Sequence, residues 1–225
     1  MGEMISLKAE DGHNFAAYRA DPAGKPKGGV VVVQEIYGVN EHIRAVCDDY
    51  AARGYRAIAP SVYDRQERGA VFGYDGAQMP HIRTLRAGID WQKSLPLDIA
   101  ATIAALRPLK VGAVGYCLGG SVAFMAACRL TVEAASCYYP TDMGKQYNDK
   151  PRCPTIIHFA ERDHVIPREV VDKLKATQPE LPVYIYPAEH GFNCWHRADT
   201  SYDEASAKLA LERTLALFER TLAQS

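Results

Sequence analysis

The sequence carries almost no net charge: 26 lysines and arginines stand against 27 aspartates and glutamates, for a formal charge of -1. That balance speaks against a basic nucleic-acid-binding surface and against an acidic disordered tail. No apolar run approaches the roughly 18 residues that a membrane-crossing helix needs, and Met1 to Glu10 lack a basic stretch followed by an apolar core. A soluble, unexported, cytoplasmic protein is expected, with neither a nucleic acid nor a membrane as partner. The opening Met1-Gly2-Glu3-Met4-Ile5-Ser6 fits the N-myristoylation pattern. That pattern is short, however, and Ile5 to Ala9 reads as a strand, so lipidation is not expected. Cysteines are sparse. Six of them (Cys47, Cys117, Cys128, Cys137, Cys153 and Cys194) in 225 residues do not make a disulfide scaffold, and none forms a C-x-x-C pair. They read as reduced thiols. No repeat or low-complexity linker divides the chain, and at about 150 residues per domain its 225 residues suit one large domain, 1–225. A domain of this size buries roughly 70% or more of its unfolded surface and needs no disulfide to stay folded.

What is present is an alternation. Short apolar runs, Val30–Val33, Arg56–Ala59, Val111–Tyr116, Thr155–Phe159 and Val183–Tyr186, recur between helical stretches. Continuous runs rich in Val, Ile and Tyr suit strands covered on both faces of a parallel sheet. Between them, Asn40 can cap a helix whose Ile43, Val46, Cys47, Tyr50 and Ala51 share one face, with Gly54 as its stop. Pro96 opens another, with Ile99, Ile103 and Leu106 in register. The last helix is expected to start at a capping box, Ser201 to Glu204, and to bury Leu211, Leu215, Phe218 and Leu222. This pattern specifies a mostly parallel, doubly wound α/β sheet with helices on both faces. At the N-terminus, Asp11-Gly12 between Ile5–Ala9 and Phe15–Arg19 signals a hairpin and an antiparallel edge. The polar, weakly helical stretch from Asp64 to Ser94 reads as a cap or loop beside the site.

The strongest local signal is Gly115-Tyr116-Cys117-Leu118-Gly119-Gly120, set between the Val111–Val114 strand and an apolar helix from Ser121. It is the G-x-S-x-G nucleophile-elbow pattern with cysteine in place of serine. Glycine is needed because side chains two positions from the nucleophile would collide with the neighbouring strand and helix. The helix N-terminus that follows favours thiolate over thiol. An elbow nucleophile needs an acid and a base in the chain order nucleophile, acid, base. Asp163 follows the Thr155–Phe159 strand and His190 follows the Val183–Tyr186 strand, both at carboxyl ends where an open sheet forms its crevice. His190 would take the sulfur's proton and Asp163 would hold the imidazole tautomer; His164, adjacent to Asp163, is too near to serve as its partner. His190, Cys194 and His196 do not make a credible metal site because a fourth ligand is missing, so no metal is expected.

Taken together, Gln34-Glu35-Ile36-Tyr37-Gly38-Val39-Asn40, the Cys117 elbow, Asp163-His164 with Pro167, and His190 resemble the dienelactone hydrolase family of α/β-hydrolases over nearly the whole chain. The resemblance implies an α/β-hydrolase fold and a Cys117, Asp163, His190 triad. It also implies that Glu35 contacts the thiol and helps deprotonate it when substrate binds. The oxyanion hole it implies uses the backbone N–H groups of Leu118 and Ile36. The implied reaction is hydrolysis of a small cyclic enol ester through a thioester acyl-enzyme, with no cofactor, by a monomer or small homo-oligomer. Independently of the family, Glu35 ends a hydrophobic strand, where an unpaired carboxylate would be costly.

The pattern departs at the substrate carboxylate, where family members that act on dienelactone place arginines and this chain has Pro80 and Cys194. Arg83 and Arg197, each three residues further on, are the candidates to replace them. Alternative readings are a broader small-ester carboxylesterase or thioesterase, or a non-catalytic binding or redox-sensing relative in which Cys117 is only oxidisable.

Overall fold

The computed structural model describes residues 2–197 and 201–223. Met1, with which the myristoylation pattern begins, lies outside them. Gly2 is held at the sheet: its N–H donates to Tyr18 Oη at 2.8 Å and to Asp48 Oδ1 at 3.0 Å. The N-terminal hairpin forms as read, with β1 (Glu3–Lys8) antiparallel to β2 (Asn14–Ala20) and Gly12 at φ +89° in the turn.

The other strands are β3 (Gly29–Val33), β4 (Arg56–Pro60), β5 (Val111–Tyr116), β6 (Ala134–Tyr138), β7 (Thr155–Ala160) and β8 (Val183–Tyr186). Among the described residues they make one eight-stranded sheet in the order β1-β2-β4-β3-β5-β6-β7-β8. β2 joins β4 antiparallel, and from β4 to β8 every pairing is parallel. Every residue of β3, β5, β6 and β7 is buried, which is why three of them read as unbroken apolar runs. The sequence reading missed β6. Its Ala134-Ala135-Ser136-Cys137-Tyr138 is small and half polar, and it is a strand because two parallel neighbours supply its hydrogen bonds.

The helices are α1 (Glu41–Ala52), α2 (Met79–Ala87), α3 (Ser94–Leu106), α4 (Leu118–Arg129), α5 (Arg168–Thr177) and α6 (Glu204–Leu222). Asn40 caps α1 by accepting from Ile43 N–H at 3.2 Å, and Gly54 follows its end at φ +95°. α3 starts at Ser94, ahead of Pro96, because the Asp90 carboxylate accepts from the N–H groups of Gln92, Lys93 and Ser94. α6 is capped by Asp203, which accepts from Ser206 N–H at 2.8 Å, and not by Ser201. Its buried stripe is Ala207, Ala210, Thr214, Leu217, Phe218 and Leu222, so Leu211 and Leu215 flank the stripe half-buried. α1 and α6 share one face, where Tyr50 and Phe218 meet with ring centroids 6.1 Å apart, and α3 borders a groove whose other side is Arg129, the last residue of α4, and the loop after it. No described helix is long and apolar enough to cross a membrane.

Candidate active site

β5 runs straight into α4, and the residue at the bend is Cys117, with φ 57° and ψ -115°. A non-glycine residue held there is strained by about 1–3 kcal/mol and persists only where its surroundings fix it. Those surroundings are tight. A Cβ on Gly115 would stand 1.9 Å from the Gly119 carbonyl oxygen, and one on Gly119 would stand 2.2 Å from that of Val33. Cys117 N–H donates to the Tyr138 carbonyl at 3.0 Å, and the Cys117 carbonyl accepts from Gly120 N–H at 3.0 Å. The thiol is therefore delivered to the first turn of α4 at the carboxyl edge of the sheet.

Asp163 follows β7 and His190 follows β8, and the structure brings them together: His190 Nδ1 stands 2.8 Å from Asp163 Oδ2. The other carboxylate oxygen, Oδ1, accepts from the N–H groups of Val165 and Ile166 at 2.8 and 2.9 Å. Burial alone would raise the Asp163 pKa, but the His190 hydrogen bond and charge and these two amides bring it below the usual aspartate value. The second ring nitrogen, His190 Nε2, is buried with no hydrogen-bond partner among the described residues, and the Cys117 thiol is the neighbour that acts on it. Burial pushes His190 down, yet the charge of Cys117 and the bond to Asp163 lift it to about 10. His164 is exposed and touches His190 only ring to ring, with centroids 6.3 Å apart.

Glu35 follows β3 and is 2% exposed. Its main chain is fixed by fully buried Gln34, whose Nε2 donates to the Glu35 carbonyl while its Oε1 accepts from Val62 N–H. Burial raises the Glu35 pKa, against the pull of His190, of Arg197 and of a hydrogen bond from Tyr74. Among the described residues the hydrogen-bond partner of its carboxylate is Tyr74 Oη, at 3.3 Å, and not the thiol. Tyr74 in turn accepts from Asn40 Nδ2 at 3.0 Å and from the Cys194 thiol at 3.3 Å. The guanidinium of Arg197 lies over the Tyr74 ring, 5.5 Å from its centroid. Tyr74 escaped the sequence reading because it sits in the polar stretch taken as cap or loop. His190, Cys194 and His196 do not gather; among the described residues the cluster of potential ligand side chains is Glu35, His42 and Cys194.

A cavity of about 530 Å³ opens over Cys117. Its lining includes Glu35, Ile36, Tyr37, Met79, Thr141, His164, Val165 and His190, together with Arg83, Arg86 and Arg197. Both arginines singled out in the sequence thus face the cavity, from α2 and from the loop after β8. Arg86 was not foreseen, although its place one helical turn after Arg83 puts it on the same face. Its charge is engaged with buried Asp142 at 2.8 Å, and Asp142 also receives Lys145 at 2.9 Å.

A thiol, then an acid, then a histidine, delivered in that chain order to the carboxyl ends of successive parallel strands, makes the protein an α/β-hydrolase. Residues 15–222 match the dienelactone hydrolase family, and the chain belongs to it. It is 34% identical over 223 residues to the carboxymethylenebutenolidase of Pseudomonas putida, a match spanning 95% of this chain and 94% of that one. Among solved structures, a Klebsiella pneumoniae protein assigned as a dienelactone hydrolase superposes with a TM-score of 0.82 at 29% identity, covering 97% and 98% of the two chains. A dienelactone hydrolase-like promiscuous phosphotriesterase from metagenomic libraries shares the fold, with a TM-score of 0.77 at 16% identity over 99% of each chain. The protein is a carboxylic ester hydrolase of the dienelactone hydrolase type.

Proposed function

We propose that the protein opens a small lactone of the dienelactone class through a thioester on Cys117. The observation that carries this reading is the Asp163 to His190 hydrogen bond at 2.8 Å with the opposite ring nitrogen turned to the elbow thiol. Asp163 fixes the tautomer with the proton on Nδ1, so Nε2 accepts from sulfur, and the resulting imidazolium persists because its pKa is lifted to about 10. Glu35, buried and raised in pKa at the cavity wall, assists that transfer by drawing the thiol proton off sulfur as substrate binds, and the proton ends on His190 Nε2.

The thiolate attacks the lactone carbonyl, forming a C–S bond while the carbonyl pair moves to oxygen. The N–H of Leu118, first residue of α4, and that of Ile36, on the cavity wall, stabilise that oxyanion. Collapse breaks the ring C–O bond and expels an enolate, which takes a proton from His190. Water then attacks the thioester as His190 Nε2 removes its proton, releasing the carboxylic acid and the thiolate. An enolate leaves readily, so a cysteine suffices where a peptide would need a stronger push.

Arg83 and Arg197 supply positive charge for a substrate carboxylate. A broader esterase reading draws on Ile36, Met79 and Val165, which give the cavity an apolar wall, and on Arg86, whose charge Asp142 already offsets. The deciding experiment offers purified protein a dienelactone and a neutral aryl ester of similar size and traps the acyl-enzyme by acid quench. Mass spectrometry should find the acyl group on the peptide bearing Cys117, and Cys117→Ala should be inactive on both substrates. An acyl group elsewhere, or turnover by the variant, overturns the assignment.

A further inference from the structure

Glu35, at the wall of the cavity, has two further buried neighbours, His42 and Cys194, for which the hydrolysis has no use. We propose that Glu35, His42 and Cys194 bind a divalent d-block cation of the zinc class, and that the bound cation switches the hydrolase off by holding Glu35. The binding half stands independently of the catalytic reading; the switching half rests on the part proposed above for Glu35.

The donor set is one carboxylate oxygen, one imidazole nitrogen and one sulfur, these atoms all lie within 4.8 Å of one another, and a solvent ligand entering from the cavity side would complete the tetrahedron. Nitrogen and sulfur select zinc-class ions over calcium or magnesium, which take oxygen. In a tetrahedral zinc site with bonds of about 2.0–2.3 Å the donors stand roughly 3.3–3.8 Å apart, so closure needs a side-chain shift of about an ångström. The three residues are 2%, 0% and 0% exposed.

His42 is the observation that neither packing nor catalysis explains. It is fully buried, and neither Nδ1 nor Nε2 has a hydrogen-bond partner among the described residues. Buried ring nitrogens are normally satisfied, because an unmet one loses its water and gains nothing. The ring is walled by Trp195 and His196, with centroids 4.5 and 5.4 Å away, while one of its nitrogens is turned to Glu35 and Cys194.

Charge balances at the site, since a dication with one carboxylate and one thiolate is neutral. Binding replaces the S–H of Cys194, now donated to Tyr74, by a sulfur–metal bond, and that proton passes to solvent. Any proton on Glu35 leaves in the same way. Tyr74 stays hydrogen-bonded to the carboxylate from outside the coordination shell. Glu35 borders the cavity over Cys117, which gives the cation its way in and makes the carboxylate unavailable to the thiol once bound.

The test uses chelator-stripped, desalted full-length protein titrated with Co²⁺ alone and then Zn²⁺. Cys117→Ser is the background, so that the elbow thiol cannot supply the sulfur. One Co²⁺ per chain should bind with a thiolate-to-cobalt charge-transfer band, and Zn²⁺ should displace it. Adding Cys194→Ser should abolish the band. Adding His42→Ala should weaken binding by more than the roughly 10–100-fold that an outer-shell partner costs. Cys194→Ser is nearly isosteric, and circular dichroism reports whether either variant has lost its fold. A band that survives Cys194→Ser, or one lost with Cys117→Ser alone, overturns the site. In single variants of the active protein, Zn²⁺ should inhibit wild type and spare His42→Ala. Intact binding without inhibition would overturn the switching half and count against the role given to Glu35.

Discussion

Replacing Asp163 by asparagine tests the triad at its least ambiguous bond. The side chain keeps its size, and its oxygen is already claimed, because Oδ1 accepts two backbone N–H groups from Val165 and Ile166. An asparagine that keeps those two bonds must turn its NH₂ toward His190 Nδ1. Two donors cannot face each other, so the imidazole is driven to the tautomer with its proton on Nε2, the nitrogen turned to Cys117. That nitrogen can then no longer accept from sulfur. Such a tautomer error lowers kcat by about 10⁴, which at 1.36 kcal/mol per tenfold is about 5.4 kcal/mol of transition-state stabilisation. The assay is kcat/KM on an aryl ester across pH, with folding followed by circular dichroism. In wild type an alkaline limb is expected near pH 10, where the imidazolium is lost, and in the variant it should move down because both contributions of Asp163 are gone. Stability follows the opposite end of the scale. Asp163 lies below its ordinary 3.8, so its contribution is complete above that pH and is lost as the pH falls through the lower folded value. The variant should therefore be less stable than wild type at neutrality, with the gap closing in acid. Retention of kcat/KM within about threefold of wild type, in a folded variant, would refute the tautomer reasoning.

Iodoacetamide at neutral pH should modify Cys117 before Cys153, although Cys153 is the more exposed, because burial pushes the Cys153 thiol up; peptide mapping against residual activity decides it. Arg83→Ala or Arg197→Ala should raise KM for an anionic lactone and lower kcat/KM about ten- to a hundredfold, while a neutral ester is barely affected; equal losses on both substrates would count against a carboxylate subsite. His158, fully buried and neutral with its pKa lowered to about 3, binds its proton in the unfolded chain before it does in the folded one. Its contribution is present above 6.5 and is lost as the pH falls from 6.5 toward 3, by up to about 1.4 kcal/mol per pH unit. Urea titrations of His158→Gln across that range should show a shallower acid decline, and an unchanged slope would show that His158 does not drive it.

The elements legible in the sequence were those whose physics is local. Asn40 and Gly54 bracket α1 by capping chemistry alone, and Asp11-Gly12 turns the hairpin without help from the rest of the chain. The elbow was legible because strand, glycines and helix lie within a few residues of Cys117. β6 was not, since Ala134–Tyr138 becomes a strand through its neighbours on either side. Nor was the true cap of α6, where Asp203 displaces Ser201 by only two positions. Asp163 and His190 were readable because chain order on a parallel sheet constrains them. Tyr74 and His42 were not, for Tyr74 meets Glu35 across 39 residues of chain and His42 meets Cys194 across 152, and no periodicity encodes such a meeting.

The placement of the strands also sets when the proposed nucleophile would acquire its base. Cys117 directly follows the central β5, whereas His190, the base proposed for it, comes only after β8, the far edge of the sheet and the last strand among the described residues. A chain growing from its N-terminus completes the elbow while Asp163 and His190 are still unmade. During that interval the sulfur lacks the imidazole that would make it a strong nucleophile. On the proposed mechanism the order of synthesis works as a safety catch: the base comes last along the chain, so a chain ending before His190 would carry a comparatively quiet thiol.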